Sequence, residues 1–264
     1  MAHILVTGGA SNLGADIVRE LLARGDGARI LSSREHATVP EGAELAVGDL
    51  REGSGLDAAL AGVTTIIHCA SDAREPGFAT EIQGARNLSE RAAGAGVTHL
   101  IYISIVGVER SDWPYYVAKR EAERIFEAGV TPWTILRATQ FHDLVYGLLR
   151  GADSGAGSVR LKPNMRFQSV AREELAARLI ELAKGAPAGY APPMRGPETL
   201  SLETMAAAYL AALGRADDPE TLPPDDAPPS PFQTGVNLVS GATPATMGRQ
   251  TWAEYLRLHA NRAP

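Results

Sequence analysis

Tyr115 and Lys119 stand four residues apart, far downstream of a glycine-rich stretch, Thr7-Gly8-Gly9-Ala10-Ser11-Asn12-Leu13-Gly14. On a helix, positions i and i+4 share a face, so the phenol and the ammonium can point into one cleft. A free tyrosine titrates near ~10 and is a poor acid or base at neutral pH. A neighbouring ammonium favours the phenolate and brings that value down. Lys119 can also reach a ribose hydroxyl and fix a cofactor. Ser104 ends a strand and is a candidate to hold a substrate oxygen. The spacing recurs easily by chance, and Tyr116 competes as the inward ring. Upstream, the glycine stretch follows an apolar run and opens a helical pattern. Unpaired N–H groups at a helix N-terminus, with the positive dipole end, favour a pyrophosphate. Gly8 permits the tight turn, and Gly14 lets helix and strand pack closely. Ser11 sits where such loops usually carry a middle glycine, and Asn12 is a candidate helix cap or phosphate contact. A phosphate loop and a Tyr-Lys pair in one chain imply hydride chemistry on a nicotinamide cofactor.

Which nicotinamide cofactor depends on the residues after the second strand. NAD sites place an acid ~20 residues beyond the loop to hold the ribose hydroxyls. Here that stretch reads Ser32-Ser33-Arg34, with no acid at the strand end. Ser33 and Arg34 are therefore expected at the ribose, Arg34 pairing with a 2'-phosphate. A one-residue shift would put Glu35 in the NAD role, so NADP is favoured and NAD is the alternative.

The elements that position these groups are legible as a periodic series. Strands are expected at His3–Thr7, Ala28–Ser32, Ala43–Val47, Thr64–Cys69, His99–Ser104 and Pro132–Leu136. Helices are expected at Asn12–Arg24, Leu56–Leu60, Phe78–Ala93 and Tyr115–Ala128. In the last of these, Glu121, Glu123 and Arg124 read as outward, Ile125 and Phe126 as inward. Strands alternating with helices predict an α/β fold, a doubly wound parallel sheet covered on both faces. Residues 1–150 form this dinucleotide-binding part. Residues 151–264 form a smaller substrate-side region that returns to the main domain, with helices at Arg172–Lys184, Leu202–Leu213 and Thr251–Ala260. Prolines at 219, 223, 224, 228, 229 and 231 preclude regular helix or central strand there, leaving a surface connection or a semi-rigid lid.

The chain has 264 residues, 45% of them hydrophobic, enough for one large core or a main domain with a satellite. A formal net charge of -6 argues against nucleic acid as a partner. The single cysteine, Cys69, fits a reducing cytoplasm. No export signal is visible, and no apolar run approaches the ~18 residues that span a bilayer. A cytoplasmic protein acting on a small-molecule substrate is expected. His68 and Cys69 read as strand packing without metal-ligand spacing. His142 reads equally as a substrate contact or a satisfied loop histidine.

The chain resembles the short-chain dehydrogenase/reductase superfamily, above all its atypical NmrA-like branch. The likeness rests on Val6 to Gly14, Val47-Gly48-Asp49-Leu50, Ile66-Ile67-His68-Cys69-Ala70, Ile103 to Val108, Tyr115-Tyr116-Val117-Ala118-Lys119 and Trp133 to Phe141. It implies a Rossmann-like fold and a cofactor site of Gly8, Ala10, Ser11, Asn12, Leu13 and Gly14. Asp49 would contact the adenine edge with Leu50 beside it, and Ala70 and Ser71 would line the cofactor cleft. Ser104, Tyr115 and Lys119 would be the catalytic set, with Lys119 also on the ribose. The expected activity is NADPH-dependent reduction of a carbonyl or quinone-like compound. The resemblance also admits a non-catalytic NADP sensor, or a quinone reductase that does not use Tyr115. Family analogy further suggests a homodimer through the helices that carry Gln83–Ala93 and Tyr115–Ala128.

Overall fold

The computed structural model describes residues 3–153, 155 and 159–259. Ala260, the end of the expected last helix, lies outside them. The chain builds two compact units and passes between them several times. The first draws on the chain up to Ser104, on Pro114–Arg137 and on Glu173–Ala191. The second draws on Ile105–Trp113, on Ala138–Arg172 and on the chain from Pro192 onward.

In the first unit the expected series appears with boundaries shifted by a residue or two. The elements are β1 (His3–Thr7), α1 (Asn12–Ala23), β2 (Ala28–Ser32), β3 (Glu44–Val47), α2 (Leu56–Leu60), β4 (Val63–His68), α3 (Ala79–Gly94), β5 (His99–Ile105), α4 (Pro114–Ala128) and β6 (Trp133–Ala138). The strand order is β3-β2-β1-β4-β5-β6. Pairing is parallel from β3 through β5. Such a sheet buries both faces, and its strands are apolar runs rather than alternating ones. Leu5, Val6, Ile66, Ile67 and Ile101 are all fully buried. Strand order reverses between β1 and β4, and the crevice outside the carboxyl ends of these strands is where doubly wound folds bind ligands.

Thr7 closes that crevice from below. Its Oγ accepts hydrogen bonds from the Cys69 and Ala70 N–H groups, each at 3.3 Å. Its own proton therefore goes to His68 Nδ1, 2.6 Å away. His68 is fully buried and stacks on Tyr102.

α4 departs from the expected amphipathic reading. Glu123 is fully buried, not outward. Arg137 on β6 donates to both of its oxygens, at 2.8 and 2.6 Å, and Arg120 and the Tyr190 hydroxyl add further bonds. Helical periodicity assigns a lone glutamate to solvent because an unpaired buried carboxylate is expensive; partners distant in sequence remove that penalty here.

The second unit has its own core, in which Trp252, Tyr255 and Leu256 pack with Leu202, Met205 and Phe167. Helices span Leu202–Ala212 and Trp252–His259 as expected, and His142–Ala152 forms a further helix. In the proline-rich stretch, Glu220–Thr221 pairs with Arg160–Leu161, and Pro231 opens a short helix capped by Ser230. Proline is tolerated at that first helical position because its missing N–H has no partner to lose. Among the described residues, no helix is long and apolar enough to cross a membrane.

Candidate active site

The loop after β1 is built for close backbone approach. Gly8 has φ +69°, and a Cβ there would lie 2.7 Å from Ala70 N. A Cβ on Gly14 would lie 2.1 Å from Gly8 O. Ser11 takes the place of a middle glycine without strain, because its φ is -82°. It is the N-cap of α1, accepting from Gly14 N at 3.4 Å, so Asn12 is the first helical residue and not the cap. No acid lies in the first turn of α1, which leaves its positive end available to an anion.

A cavity of about 370 Å³ opens beside this loop. Gly8, Ala10 and Ser11 line it from β1, Ser33 and Arg34 from the end of β2, and Asp49 and Leu50 from the end of β3. Ala70 closes it after β4. Leu13 and Gly14 are buried in α1 behind the loop. Of the two candidates for the ribose, Arg34 lines the cavity and Glu35 does not. Arg51, Asp72, Glu75 and Thr80 also line it, and no periodicity or motif marked them. Arg51 ties two of the acids together, donating to Asp49 Oδ2 at 2.9 Å and to Glu75 Oε1 at 3.3 Å. Its hydrogen bonds hold the Asp49 carboxyl below the usual carboxylate range. A cradle that only glycine permits, an acid-free helix start and a cavity running to Arg34 fit the adenosine and phosphate end of a dinucleotide.

Tyr115 and Lys119 come together as their spacing requires, and a residue not anticipated joins them. Glu81 on α3 is fully buried. It accepts a short hydrogen bond from the Ser71 hydroxyl and one of 3.0 Å from Tyr102. Lys119 Nζ is 3.3 Å from Glu81 Oε2, donates to Ile103 O at 2.9 Å, and sits 4.2 Å above the Tyr102 ring. The Tyr115 hydroxyl is 2.5 Å from Ser71 Oγ. Because Ser71 spends its one proton on Glu81, Tyr115 is the donor in that bond. Tyr116, the rival ring, is buried away in the core.

Burial is the largest influence on the Tyr115 phenol and pushes its pKa up. Lys119 pulls it down, and Glu81 and Asp72 push it up; the net displacement is upward. Tyr115 is therefore a phenol across the neutral range. Ser104 does not join this cluster. It is buried near Glu123, two turns farther along α4, and its hydroxyl makes no hydrogen bond among the described residues. It shares the face of β5 that carries Tyr102, which looks toward α4.

The remaining candidates are structural. Burial drives the His68 pKa down to about 3 and pushes the Cys69 thiol up to about 12. In the second unit, His142 is satisfied by Ser169 at 2.8 Å and Gln250 O at 3.1 Å. Among the described residues, no group of three His, Cys, Asp or Glu side chains could hold a metal ion.

A family model described as NAD(P)H-binding matches residues 8–185, from the glycine cradle to the end of the helix Arg172–Lys184. The chain belongs to this NAD(P)H-binding family. It is an NAD(P)-dependent oxidoreductase. A (4-alkanoyl-5-oxo-2,5-dihydrofuran-3-yl)methyl phosphate reductase of Streptomyces griseus is 31% identical over 219 residues, 80% of this chain and 74% of that protein. An NAD(P)H azoreductase of Xenophilus azovorans is 28% identical over 80% of this chain and 74% of its own. Among solved structures, an NADPH-dependent quinone oxidoreductase from Escherichia coli superposes with a TM-score of 0.79 over 98% of this chain and 100% of that one, at 16% identity. At that identity the likeness establishes the shared fold.

Proposed function

We propose that this family member is an NADPH-dependent reductase of a carbonyl or quinone-like small molecule, with Tyr115 as proton donor. The observation that carries the reading is the Tyr115 hydroxyl, held as a neutral donor within the Ser71–Glu81–Lys119 cluster. When bound, NADPH supplies the hydride. The chain's own residues bind and orient it. The N-terminus of α1 and the Gly8–Ser11 backbone receive the phosphates, and Arg34 takes the 2'-phosphate, which is the basis for choosing NADP over NAD. Lys119 lies one turn from Tyr115 and serves the ribose side. Tyr115 delivers its proton to the substrate oxygen as charge develops there, and a positioned general acid contributes about 10²–10⁴ in rate. Ser104, beside Glu123, is left out of this set. The Streptomyces and Xenophilus relatives, a reductase of an unsaturated lactone and an azoreductase, support a reductive role on a conjugated acceptor.

The test is NADPH oxidation against ketones, aldehydes, enones and quinones, with wild type and Tyr115→Phe side by side. Expected is turnover on at least one class, reduced about 10²-fold or more in Tyr115→Phe, with the Kd for NADPH unchanged. Equal turnover in both proteins would remove Tyr115 from the chemistry. NADPH binding without turnover on any compound would replace the reductase by a cofactor-responsive binding protein.

A further inference from the structure

Glu81 takes no chemical step in the proposed reduction, yet more polar contacts converge on it than on any other group around Tyr115. Its side chain is fully buried on α3 and receives the Ser71 hydroxyl, the Tyr102 hydroxyl and the Lys119 ammonium. A buried carboxylate is tolerated only when its lone pairs are filled, and Glu81 fills them with three groups that surround the Tyr115 phenol. Each contact fixes a direction. With its proton committed to Glu81, Ser71 can offer Tyr115 only a lone pair, so the Tyr115 O–H is aimed along a set line. With its charge balanced by Glu81, Lys119 is anchored under the helix by Ile103 O and the Tyr102 ring.

We propose that Glu81 and Ser71 are a positioning pair for Tyr115, the carboxylate orienting the serine hydroxyl and the serine orienting the phenol. This deepens the proposed reductase and rests on it for its catalytic consequence, but the positioning itself has a readout that needs no substrate. The charged groups facing the phenol are Lys119 from its own helix, Glu81 from α3 and Asp72 from the segment after β4; Phe78 covers it with an apolar ring 5.9 Å away.

Removing either partner bears on the ionisation of Tyr115. Glu81→Gln keeps an oxygen for Ser71 and deletes a negative charge that opposes the phenolate, so Tyr115 becomes easier to ionise. Ser71→Ala deletes the acceptor of the Tyr115 O–H, a bond that favours the neutral phenol, and so also makes Tyr115 easier to ionise. A group that only fills space would give neither.

The experiment is phenolate absorbance against pH for full-length wild type, Glu81→Gln and Ser71→Ala, each referenced to the same protein carrying Tyr115→Phe so that only Tyr115 is read. Expected is a midpoint lowered by roughly one unit in Glu81→Gln and lowered in Ser71→Ala as well. An upward shift in Ser71→Ala, or none, would overturn the pair. Glu81→Asp keeps the charge but withdraws it by one methylene, and serves if Glu81→Gln fails to fold. Alongside, kcat and KM are measured with whichever compound class supports turnover. Ser71→Ala should lose about tenfold in kcat, and Ser71→Thr should recover most of the loss. An unchanged kcat in Ser71→Ala would also overturn the pair. If no compound is turned over, the reductase reading fails while the titration still decides the positioning.

Discussion

Gly14→Ala should close the cofactor cradle. The added methyl would lie 2.1 Å from Gly8 O, 2.6 Å from Gly9 Cα and 2.7 Å from Gly8 C. All three atoms are backbone, and ordinary contact distances between carbon and such atoms exceed about 3 Å, so either α1 or the loop must move by about 1 Å. Overpacking of this kind costs about 1–3 kcal/mol. At roughly 2–4 °C per kcal/mol for a chain of this size, melting should fall by several degrees. The loop cannot yield without displacing Gly8, whose own Cβ position is already occupied by Ala70 N at 2.7 Å. NADPH binding, followed by fluorescence, should therefore weaken at least tenfold, about 1.4 kcal/mol. Gly147→Ala is the matched control. Gly147 lies on the exposed face of the helix His142–Ala152, and a methyl added there would meet nothing within 4 Å, so alanine should add about 0.5–1 kcal/mol of stability. A Gly14→Ala protein with wild-type NADPH affinity would refute the cradle geometry.

Two predictions concern stability. Glu123→Ala should cost about 3–5 kcal/mol in denaturant unfolding, because it removes the buried carboxylate on which Arg137, Arg120 and the Tyr190 hydroxyl converge, while Glu123→Leu combined with Arg137→Met should recover much of the loss. His68 is neutral and buried, with a pKa of about 3 against 6.5 in the unfolded chain. The unfolded state binds the extra proton, so the stability present above pH 6.5 is lost as pH falls toward 3, by about 1.4 kcal/mol per pH unit within that window. Urea unfolding at about pH 6.5 and about pH 4.5 should differ by about 2–3 kcal/mol more in wild type than in His68→Leu; equal differences would exonerate the histidine.

What is legible in the chain is local. Apolar runs punctuated by glycine locate β1, β2, β4 and β5, and the helical spacing of Leu13, Ile17, Val18 and Leu21 locates α1, because burial imposes those periods directly. The positions of Gly8, Arg34 and Tyr115 follow from the same frame. What escapes depends on partners far apart in sequence. Glu81 and Glu123 look like surface glutamates, and Lys119, Ser71 and Tyr102 in one case and Arg137, Arg120 and Tyr190 in the other make their burial tolerable. Ser104 lies within β5 and not at its end, and its parity with Tyr102 turns it toward α4. The helix His142–Ala152 is hidden by Gly147 and Gly151, which depress helix propensity although Val145 and Leu149 are fully buried beneath it.

The charge balance around Tyr115 also bears on the direction of the chemistry. A lysine one turn away, acting alone, draws a tyrosine toward phenolate and equips it as a base for alcohol oxidation. Here burial is the larger influence, and Glu81 stands on the other side of the same ammonium, pushing the phenol up where Lys119 pulls it down. The phenol ends above its ordinary value near ~10, so its proton is present at every pH below that and is lost only as pH rises through the raised value. The rate of reduction at saturating NADPH should then be level from about pH 6 to about pH 9 and decline only in more alkaline buffer. An activity whose alkaline limb falls with a midpoint near about pH 7–8 would mean that Lys119 outweighs burial and Glu81, and that Tyr115 works as a phenolate base.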